Sequence, residues 1–372
     1  MKITNISIGT ISIPLITPFK TSLRTVDQIR DLIVRVTLDS GETGYGEAPP
    51  TAAITGETSE SIEAALRGYL APTVLGLDAE DRDEVFLRLE KAIAKNTSAK
   101  AALDIAIHDA VARAKGVPLF RLLGGENPEQ VRNELETDLT ISVNDPETMA
   151  ADARTAVERG FRILKVKVGK GGNTDVERVR RVREAAGKDA VLRIDANQGW
   201  TPEEAVRTIG MMEDAGLNIE LVEQPVSAHN FKGMQYVTAH TKTPILADES
   251  VFSPEDAARI LEEHGADWIN IKLMKTGGIY PAEKICKMAE EAGVQCMMGC
   301  MLESAVSVSG AAHLAAARRV FTLCDLDGPS LCAENPYTGG PVYREQQILL
   351  PEMPGIGITG VPVAFESIGG KA

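Results

Sequence analysis

The fold is decided by a series of short apolar segments, among them ILKVKV at residues 163–168, VLRIDA at 191–196 and IELVEQP at 219–225. Each segment is rich in β-branched residues and precedes a stretch of helical periodicity, which predicts a strand followed by a helix. The pattern recurs, at intervals of 24–28 residues, in LTIS (139–142), PILADES (244–250), WINIKL (268–273), QCMMGCM (295–301) and FTLCDLDG (321–328). Eight such units predict an α/β fold, a (β/α)8-type barrel (modified TIM barrel); a doubly wound open sheet is the alternative.

The first part of the chain has a different order, with predicted strands before predicted helices. Apolar, β-rich runs at 2–16, 31–38 and 44–47 precede helical patterns that extend from Ser59 to Gly116. This order predicts a separate N-terminal α+β domain. We therefore expect an α+β capping domain at 1–125, the barrel at 126–335, and a C-terminal segment at 336–372 that returns to the cap.

Composition restricts the class of partner. The 372 residues carry a net charge of −14, which argues against nucleic acids and anionic membrane surfaces as partners. No run of 18 apolar residues occurs, and the N-terminal MKITN lacks the apolar core of a signal peptide, so a cytoplasmic location is expected. The five cysteines include no C-x-x-C pair, which predicts reduced thiols.

Polar residues follow almost every predicted barrel strand. They are Thr140, Lys165, Lys167, Asp195, Asn197, Glu223, Asp248, Glu249, Lys272, Glu303, Asp325 and Asp327. The carboxyl ends of barrel strands meet at one mouth, where active sites lie. Buried strands exclude unpaired charge, so the pattern predicts an active site; a ring of structural salt bridges is the alternative.

Three of these carboxylates predict a metal site. Asp195, Glu223 and Asp248 fall on three consecutive strands, and crowded carboxylates repel each other unless a cation lies between them. Oxygen ligands favour a hard divalent ion such as Mg²⁺, although ligand type leaves Ca²⁺ open. The absence of a neighbouring histidine argues against zinc.

Two lysine positions predict acid–base chemistry. Lys165 and Lys167 share one face of a strand, where like charge and desolvation would lower the pKa and favour a general base. Lys272 lies four strands further round the ring, and so on the opposite side. Two bases on opposite faces of a carbon acid would invert a stereocentre. Glu249 is expected to pair with Lys272, and Lys275 is expected to be a solvated loop lysine.

The last strand ends in Asp325-Leu326-Asp327, which places two carboxylates on one face. With three metal ligands already assigned, this pair is expected to receive a cationic substrate group such as an ammonium. Capping of the following helix is the alternative.

The segments taken together resemble the enolase superfamily and its muconate-lactonizing subgroup. The resemblance covers nearly the whole chain and rests on KVK (165–167), DANQGW (195–200), VEQP (222–225), ADES (247–250), NIKLMKTGG (270–278) and DLDG (325–328). The D-x-D pair is similar to that of the dipeptide epimerases, especially those of the L-Ala-D/L-Glu type.

The resemblance implies a role for each matching residue. Asp195, Glu223 and Asp248 would bind Mg²⁺, and Lys167 and Lys272 would be the acid–base pair. Lys165 would contact the substrate carboxylate and depress the pKa of Lys167. The remaining implied substrate contacts are Asp325 and Asp327 to the α-ammonium, and Thr140.

The resemblance also makes the N-terminal domain a cap over the barrel mouth, with specificity loops at 17–24 and 50–57. Arg24 is placed to meet an acidic side chain, while Phe19 and Ile54 could shield the site from water. Leu302 is expected to line the pocket with an apolar side chain. It offers no carboxylate to a cationic substrate side chain, so a cationic dipeptide is the less expected substrate. A homo-oligomer, often an octamer, is also implied.

These features predict a Mg²⁺-dependent epimerase that transfers a proton at the α-carbon of a dipeptide's second residue, acting on L-Ala-D/L-Glu in murein peptide breakdown. The alternatives are an N-acylamino acid racemase or muconate cycloisomerase-like enzyme, an epimerase of apolar or cationic dipeptides, and a non-catalytic barrel that binds a small acid.

Overall fold

The computed structural model describes residues 1–125, 129 and 131–370. Its strands are β1 Ile3–Lys20, β2 Thr25–Leu38, β3 Thr43–Ala48, β4 Glu134–Glu136, β5 Leu139–Ile141, β6 Ile163–Lys167, β7 Val191–Asp195, β8 Ile219–Glu223, β9 Ile245–Ala247, β10 Trp268–Lys272, β11 Cys296–Gly299, β12 Phe321–Asp325, β13 Thr338–Gly339, β14 Val342–Arg344, β15 Gln347–Leu349, β16 Ile358–Gly360 and β17 Glu366–Gly370.

The helices are α1 Ser59–Ala65, α2 Ala71–Val74, α3 Arg82–Ala92, α4 Thr97–Ala114, α5 Leu119–Gly124, α6 Pro146–Glu158, α7 Gly172–Ala186, α8 Pro202–Asp214, α9 Phe231–His240, α10 Pro254–Glu262, α11 Leu273–Thr276, α12 Ile279–Ala292, α13 Ala305–Ala317 and α14 Gly328–Leu331. A π-helical turn, Leu66–Leu70, joins α1 to α2. In the described part of the chain, no helix is long and apolar enough to cross a membrane.

Eight parallel strands form the central sheet, and β5 to β12 lie in it in their order along the chain. A doubly wound sheet reverses its strand order at a switch point, so this order excludes that alternative and confirms the barrel-type fold. The observed strands are shorter than the predicted segments. For example, PILADES contains only the three-residue strand β9, because Asp248 and the residues after it form the turn at the barrel mouth.

The first and last barrel strands, β5 and β12, are the ends of this sheet and share no strand ladder in the described chain. Asp138 N donates to Cys324 O at 3.4 Å across the gap. Arg193, buried inside the barrel, donates to Asp138 Oδ2 at 2.9 Å and to Cys324 O at 3.0 Å. A buried ion pair therefore joins the two ends of the ring.

The barrel interior changes from apolar to charged along the strands. Leu221, Leu246 and Met297 form a small buried cluster among the inward-facing residues. Because side chains alternate along a strand, the inward positions two residues further on include Glu223 and Asp248. The sequence alternation thus directs the charged strand ends toward one mouth.

The N-terminal sheet has the order β17-β1-β2-β3, so the last strand of the chain pairs with the first. Its β2 begins at Thr25, six residues before the predicted run at 31–38, because it pairs with the long β1. Glu47 at the end of β3 accepts hydrogen bonds from Ser304 N at 3.0 Å and Ser307 N at 2.9 Å, which fastens this sheet to the start of α13. The domain limits of the sequence analysis remain predictions, and the boundary at 125/126 adjoins residues outside the described part.

We expect Arg193→Met to destabilise the fold by about 3–5 kcal/mol, because it leaves the Asp138 carboxylate buried without its cation. Urea denaturation measures the change, and Arg180→Met, on the exposed face of α7, is the matched control. Adding Asp138→Asn to Arg193→Met should recover part of the loss. Equal stabilities of Arg193→Met and wild type would show that the ion pair does not hold the ring.

Candidate active site at the barrel mouth

A small cavity of about 60 Å³ lies at the carboxyl ends of the barrel strands. Twelve of the predicted site residues line it: Phe19, Arg24, Ile54, Thr140, Lys167, Asn197, Asp248, Glu249, Lys272, Leu302, Asp325 and Asp327. The other three, Lys165, Asp195 and Glu223, are buried and joined to the lining by ion pairs. The structure therefore brings all fifteen together, although they are dispersed over some 300 residues of sequence.

The lysines and carboxylates form one buried network. Lys165 Nζ lies 2.7 Å from Glu223 Oε2, 3.3 Å from Asp195 Oδ2 and 2.6 Å from Asp325 Oδ2. Lys167 Nζ lies 2.5 Å from Asp195 Oδ2, and Lys272 Nζ lies 2.8 Å from Asp248 Oδ2. Strands β6 and β10, which carry Lys167 and Lys272, are four positions apart in the ring of eight.

The pKa of Lys165 moves in the direction opposite to the sequence expectation. Burial lowers the pKa of this ammonium, but the carboxylates of Asp325, Glu223 and Asp195 raise it well above its usual value. The expectation failed because it counted the neighbouring lysine and not the carboxylates of three other strands. The carboxylates of the network therefore favour the charged form of Lys165.

Lys275 is not a solvated loop lysine, as the sequence suggested, but is fully buried. Its ammonium lies 2.6 Å from Asp248 Oδ1 and donates to Asn270 O at 2.9 Å and to Asp248 O. The short helix α11, which follows β10 directly, turns the side chain back under the barrel mouth. The prediction was wrong because the segment forms a helix and not an open loop.

Glu249 does not pair with Lys272 in the described structure, contrary to the sequence expectation. Its Oε1 accepts from Asn197 Nδ2 at 3.4 Å, and burial beside Asp248 and Asp195 raises the pKa of Glu249 to about 8. The partner of Lys272 is Asp248 itself.

The two carboxylates of the D-x-D pair have different partners. Asp325 forms the ion pair with Lys165, whereas Asp327 Oδ2 accepts from Thr140 N at 2.7 Å. Burial and the neighbouring Asp325 raise the pKa of Asp327 to about 6. Asp327 makes no side-chain cap to helix α14, so the capping alternative does not account for it.

Two turns at the mouth hold their residues in the left-handed region. Asn197 has φ 43° and Gln224 has φ 37°, conformations that are uncommon for residues with a side chain. Asn197 N donates to Asp195 Oδ1 at 2.8 Å, and Gln224 Oε1 accepts from Asp248 N at 2.9 Å. The two turns therefore hold the Asp195 carboxylate at the end of β7 and the backbone of Asp248 just after β9.

Two loops of the N-terminal sheet cover the cavity. The turn at 21–24 contributes Arg24, which is partly buried, and Phe19 precedes it with its ring 6.0 Å from Lys167 Nζ. The turn at 51–55 contributes Ile54. Ser22 Oγ donates to Asn197 O at 3.3 Å, which joins the first loop to the barrel.

Sequence reasoning missed several residues of the site. Asn270 Nδ2 donates to Glu223 Oε1 at 2.9 Å, and its position two residues before Lys272 on the same strand face was an available signal. Cys300, at the end of the seventh barrel strand, also lines the cavity and carried no distinctive signal. Thr21, Leu23 and Thr51 line it too; the family resemblance named their loops but not these residues.

The donor set fits a divalent cation. Burial and the neighbouring Asp195 raise the pKa of Glu223 to about 7, which reflects crowded negative charge. Lys165 Nζ already contacts Glu223 and Asp195 from one point, so a single cation can reach both. Among the described residues no closed group of three metal-ligating side chains is present, because the ammonium groups lie between the carboxylates.

Two models of known protein families match this chain. The family model "Mandelate racemase / muconate lactonizing enzyme, N-terminal domain" matches residues 5–124, and "Enolase C-terminal domain-like" matches residues 148–362. The chain belongs to the enolase superfamily. The resemblance inferred from the sequence is thereby confirmed.

Individual members of the superfamily are similar over nearly the full length. The L-Ala-D/L-Glu epimerase of Clostridium acetobutylicum is 50% identical over 361 residues, which cover 97% of this chain and 99% of that protein. A substrate-liganded L-Ala-D/L-Glu epimerase from Bacillus subtilis has a TM-score of 0.94 at 48% identity, covering 98% of this chain and 100% of that one. A dipeptide epimerase from Enterococcus faecalis, complexed with Mg and L-Leu-L-Tyr, has a TM-score of 0.92 at 39% identity, covering 97% and 100%.

Glu303 gives the site a pH-dependent stability. Burial raises the pKa of its carboxyl to about 7, above the ordinary 4.5, so the fold loses stability as pH rises from about 4.5 through about 7. Glu303→Gln keeps an acceptor for Met301 N but removes this titration. We expect the stability of wild type relative to this variant to fall by about 3 kcal/mol between about pH 5 and pH 8, measured by urea denaturation.

The exposed Glu255 provides the control for this measurement, and Glu255→Gln should follow wild type across the same range. Parallel pH profiles for wild type and Glu303→Gln would contradict the assignment.

Proposed function

We propose that this chain is a Mg²⁺-dependent dipeptide epimerase, with L-Ala-D/L-Glu as its substrate. The observation that carries the proposal is the placement of Lys167 and Lys272, four strands apart in the ring, on one cavity backed by carboxylates. The similarity to L-Ala-D/L-Glu epimerases at 48–50% identity supports the same substrate. The non-catalytic barrel does not need two buried lysines on opposing strands.

Asp195, Glu223 and Asp248 would hold the metal ion. Bound Mg²⁺ supplies electrostatic stabilisation of the negative charge that develops on the substrate carboxylate as the α-proton leaves. Lys165, which bridges two of these ligands, would contact the same carboxylate. As an ammonium it would add to the stabilisation.

Proton transfer is assigned to the two cavity lysines. One takes the proton from the α-carbon of the second residue, and the other returns a proton to the opposite face, which inverts the configuration. Phe19 covers Lys167, and both lysines are largely buried, so water has little access to the carbanion. Exclusion of water strengthens each charge interaction in the site.

Specificity is assigned to both ends of the dipeptide. Asp325 and Asp327 would bind the α-ammonium, with Thr140 beside them, and Arg24 would bind the acidic side chain of the second residue. Leu302 and Ile54 offer apolar walls without a carboxylate for a cationic side chain.

The wider context stays a prediction. The substrate class fits a role in murein peptide breakdown in the cytoplasm, and the family resemblance predicts a homo-oligomer, possibly an octamer, which light scattering would test.

The lysine assignment predicts the effect of two substitutions. Lys167→Ala and Lys272→Ala should each lower epimerisation of L-Ala-L-Glu by roughly 10³-fold, because each removes one of two proton-transfer groups. In D₂O each variant should still exchange the α-proton of one stereoisomer, and the two variants should differ in which one. Proton NMR measures both quantities.

Lys170→Ala, at an exposed position in the loop after β6, is the control and should behave as wild type. If both cavity variants epimerise at the wild-type rate, the two-base assignment is wrong.

The Arg24 assignment predicts a change in specificity. Arg24→Leu should lower kcat/KM for L-Ala-L-Glu by about 10- to 100-fold, since a charge-assisted hydrogen bond is lost, with little change for an apolar second residue. Arg30→Leu, exposed on β2, is the matched control. A uniform decrease for both dipeptides would point to a general role of the loop instead.

A further inference from the structure

The two oxygens of each proposed metal ligand have different surroundings. One oxygen of each lies against a group other than Lys165, Lys167 and Lys272: Asp195 Oδ1 accepts from Asn197 N at 2.8 Å, Glu223 Oε1 accepts from Asn270 Nδ2 at 2.9 Å, and Asp248 Oδ1 lies 2.6 Å from Lys275 Nζ. The division is complete for Asp195 and Asp248, whereas Glu223 Oε1 also lies 3.9 Å from Lys272 Nζ.

The second oxygen of each ligand contacts a lysine of the site: Asp195 Oδ2 with Lys167, Glu223 Oε2 with Lys165, and Asp248 Oδ2 with Lys272. These three oxygens are therefore the ones that a cation in the cavity would share with the lysines. Asp195 and Asp248 then each have a single oxygen to offer.

Among the three groups that lie against the first oxygens, Lys275 is the one ionisable side chain. Its Nζ donates hydrogen bonds to Asp248 O and Asn270 O and lies 2.6 Å from Asp248 Oδ1 as an ion pair. The side chain is fully buried, so it has no solvent to turn toward. Asp248 Oδ1 is thus kept next to the Lys275 ammonium.

We propose that Lys275 is a positioning residue that limits Asp248 to one metal-ligating oxygen and thereby favours Mg²⁺ over Ca²⁺. Mg²⁺ requires a compact octahedron, whereas Ca²⁺ accepts six to eight oxygens and often takes both oxygens of one carboxylate. If Asp248 can offer only one oxygen, bidentate coordination by this carboxylate is prevented. That restriction weakens the binding of Ca²⁺ and not that of Mg²⁺. The inference rests on the proposed metal site.

The quantity that tests this role is the ratio of the affinities for Mg²⁺ and Ca²⁺. Lys275 also repels any divalent ion, and its removal changes each absolute affinity through that repulsion. The repulsion is nearly equal for two ions of the same charge, so it cancels in the ratio. A merely structural role of Lys275 would weaken both ions alike and leave the ratio unchanged.

The test is calorimetric titration of metal-free full-length protein with MgCl₂ and with CaCl₂ at constant ionic strength. We expect wild type to bind Mg²⁺ more tightly than Ca²⁺, and Lys275→Met to shift this preference toward Ca²⁺ by about tenfold, the usual size of effects from groups that orient a metal ligand. Lys275→Arg, which keeps charge and donors, should restore most of the preference. Lys287→Met, with its side chain 77% exposed, is the control.

An unchanged ratio in folded Lys275→Met would overturn the inference. Circular dichroism checks the fold, and Lys275→Gln, which keeps two donors but no charge, replaces the Met variant if that variant does not fold. The wild-type protein also tests the inference without any variant. If it binds Ca²⁺ more tightly than Mg²⁺, the inference is overturned.

Epimerisation of L-Ala-L-Glu, assayed on the same samples, separates this inference from the proposed function. If wild type epimerises the dipeptide but the ratio of Mg²⁺ to Ca²⁺ affinity is unchanged in Lys275→Met, only the role of Lys275 is rejected. If the ratio shifts as expected but wild type does not epimerise the dipeptide, the role of Lys275 is supported and the substrate assignment is rejected. If wild type binds neither ion, both the metal site and the inference are overturned.

Discussion

The structure depends on how it accommodates charge inside a barrel. The interior at the mouth holds buried carboxylates beside four buried ammonium groups: Asp195, Glu223, Asp248, Glu249, Asp325 and Asp327 beside Lys165, Lys167, Lys272 and Lys275. Each buried ion costs several kcal/mol of desolvation unless it is paired. Carboxylates outnumber ammonium groups here, and a bound divalent cation would offset part of that negative charge. Burial and the neighbouring carboxylates raise the pKa of Glu223 to about 7 and the pKa of Glu249 to about 8.

The same constraint explains the supporting architecture. Charged side chains can stay in place only if backbone and neutral polar groups hold them, and the left-handed turns at Asn197 and Gln224 serve that purpose. Deeper in the barrel, Arg193 and Asp138 form a further buried ion pair that joins the ends of the sheet. The N-terminal sheet, fastened by Glu47 to α13, keeps its two loops over the cavity and so keeps water from the network.

The errors of the sequence analysis share one cause. Lys275 was judged from its place after a strand, Glu249 from its neighbour in sequence, and Lys165 from the lysine two residues away. In each case the decisive partner belongs to another strand: Asp248 for Lys275, Asn197 for Glu249, and Asp325 with Glu223 for Lys165. Electrostatic partners depend on distance in space, and a sequence interval does not report that distance.

The sequence by itself determined the barrel, since the alternation of strand and helix patterns leaves few topologies, and it determined which strand ends carry charge, since the period of two fixes the inward face. It also supplied the family resemblance through its short charged segments. Only the tertiary structure decided which carboxylate oxygen faces which lysine, and that Lys275 lies against Asp248. Those features depend on contacts between distant strands, and these contacts become fixed when the ring is packed.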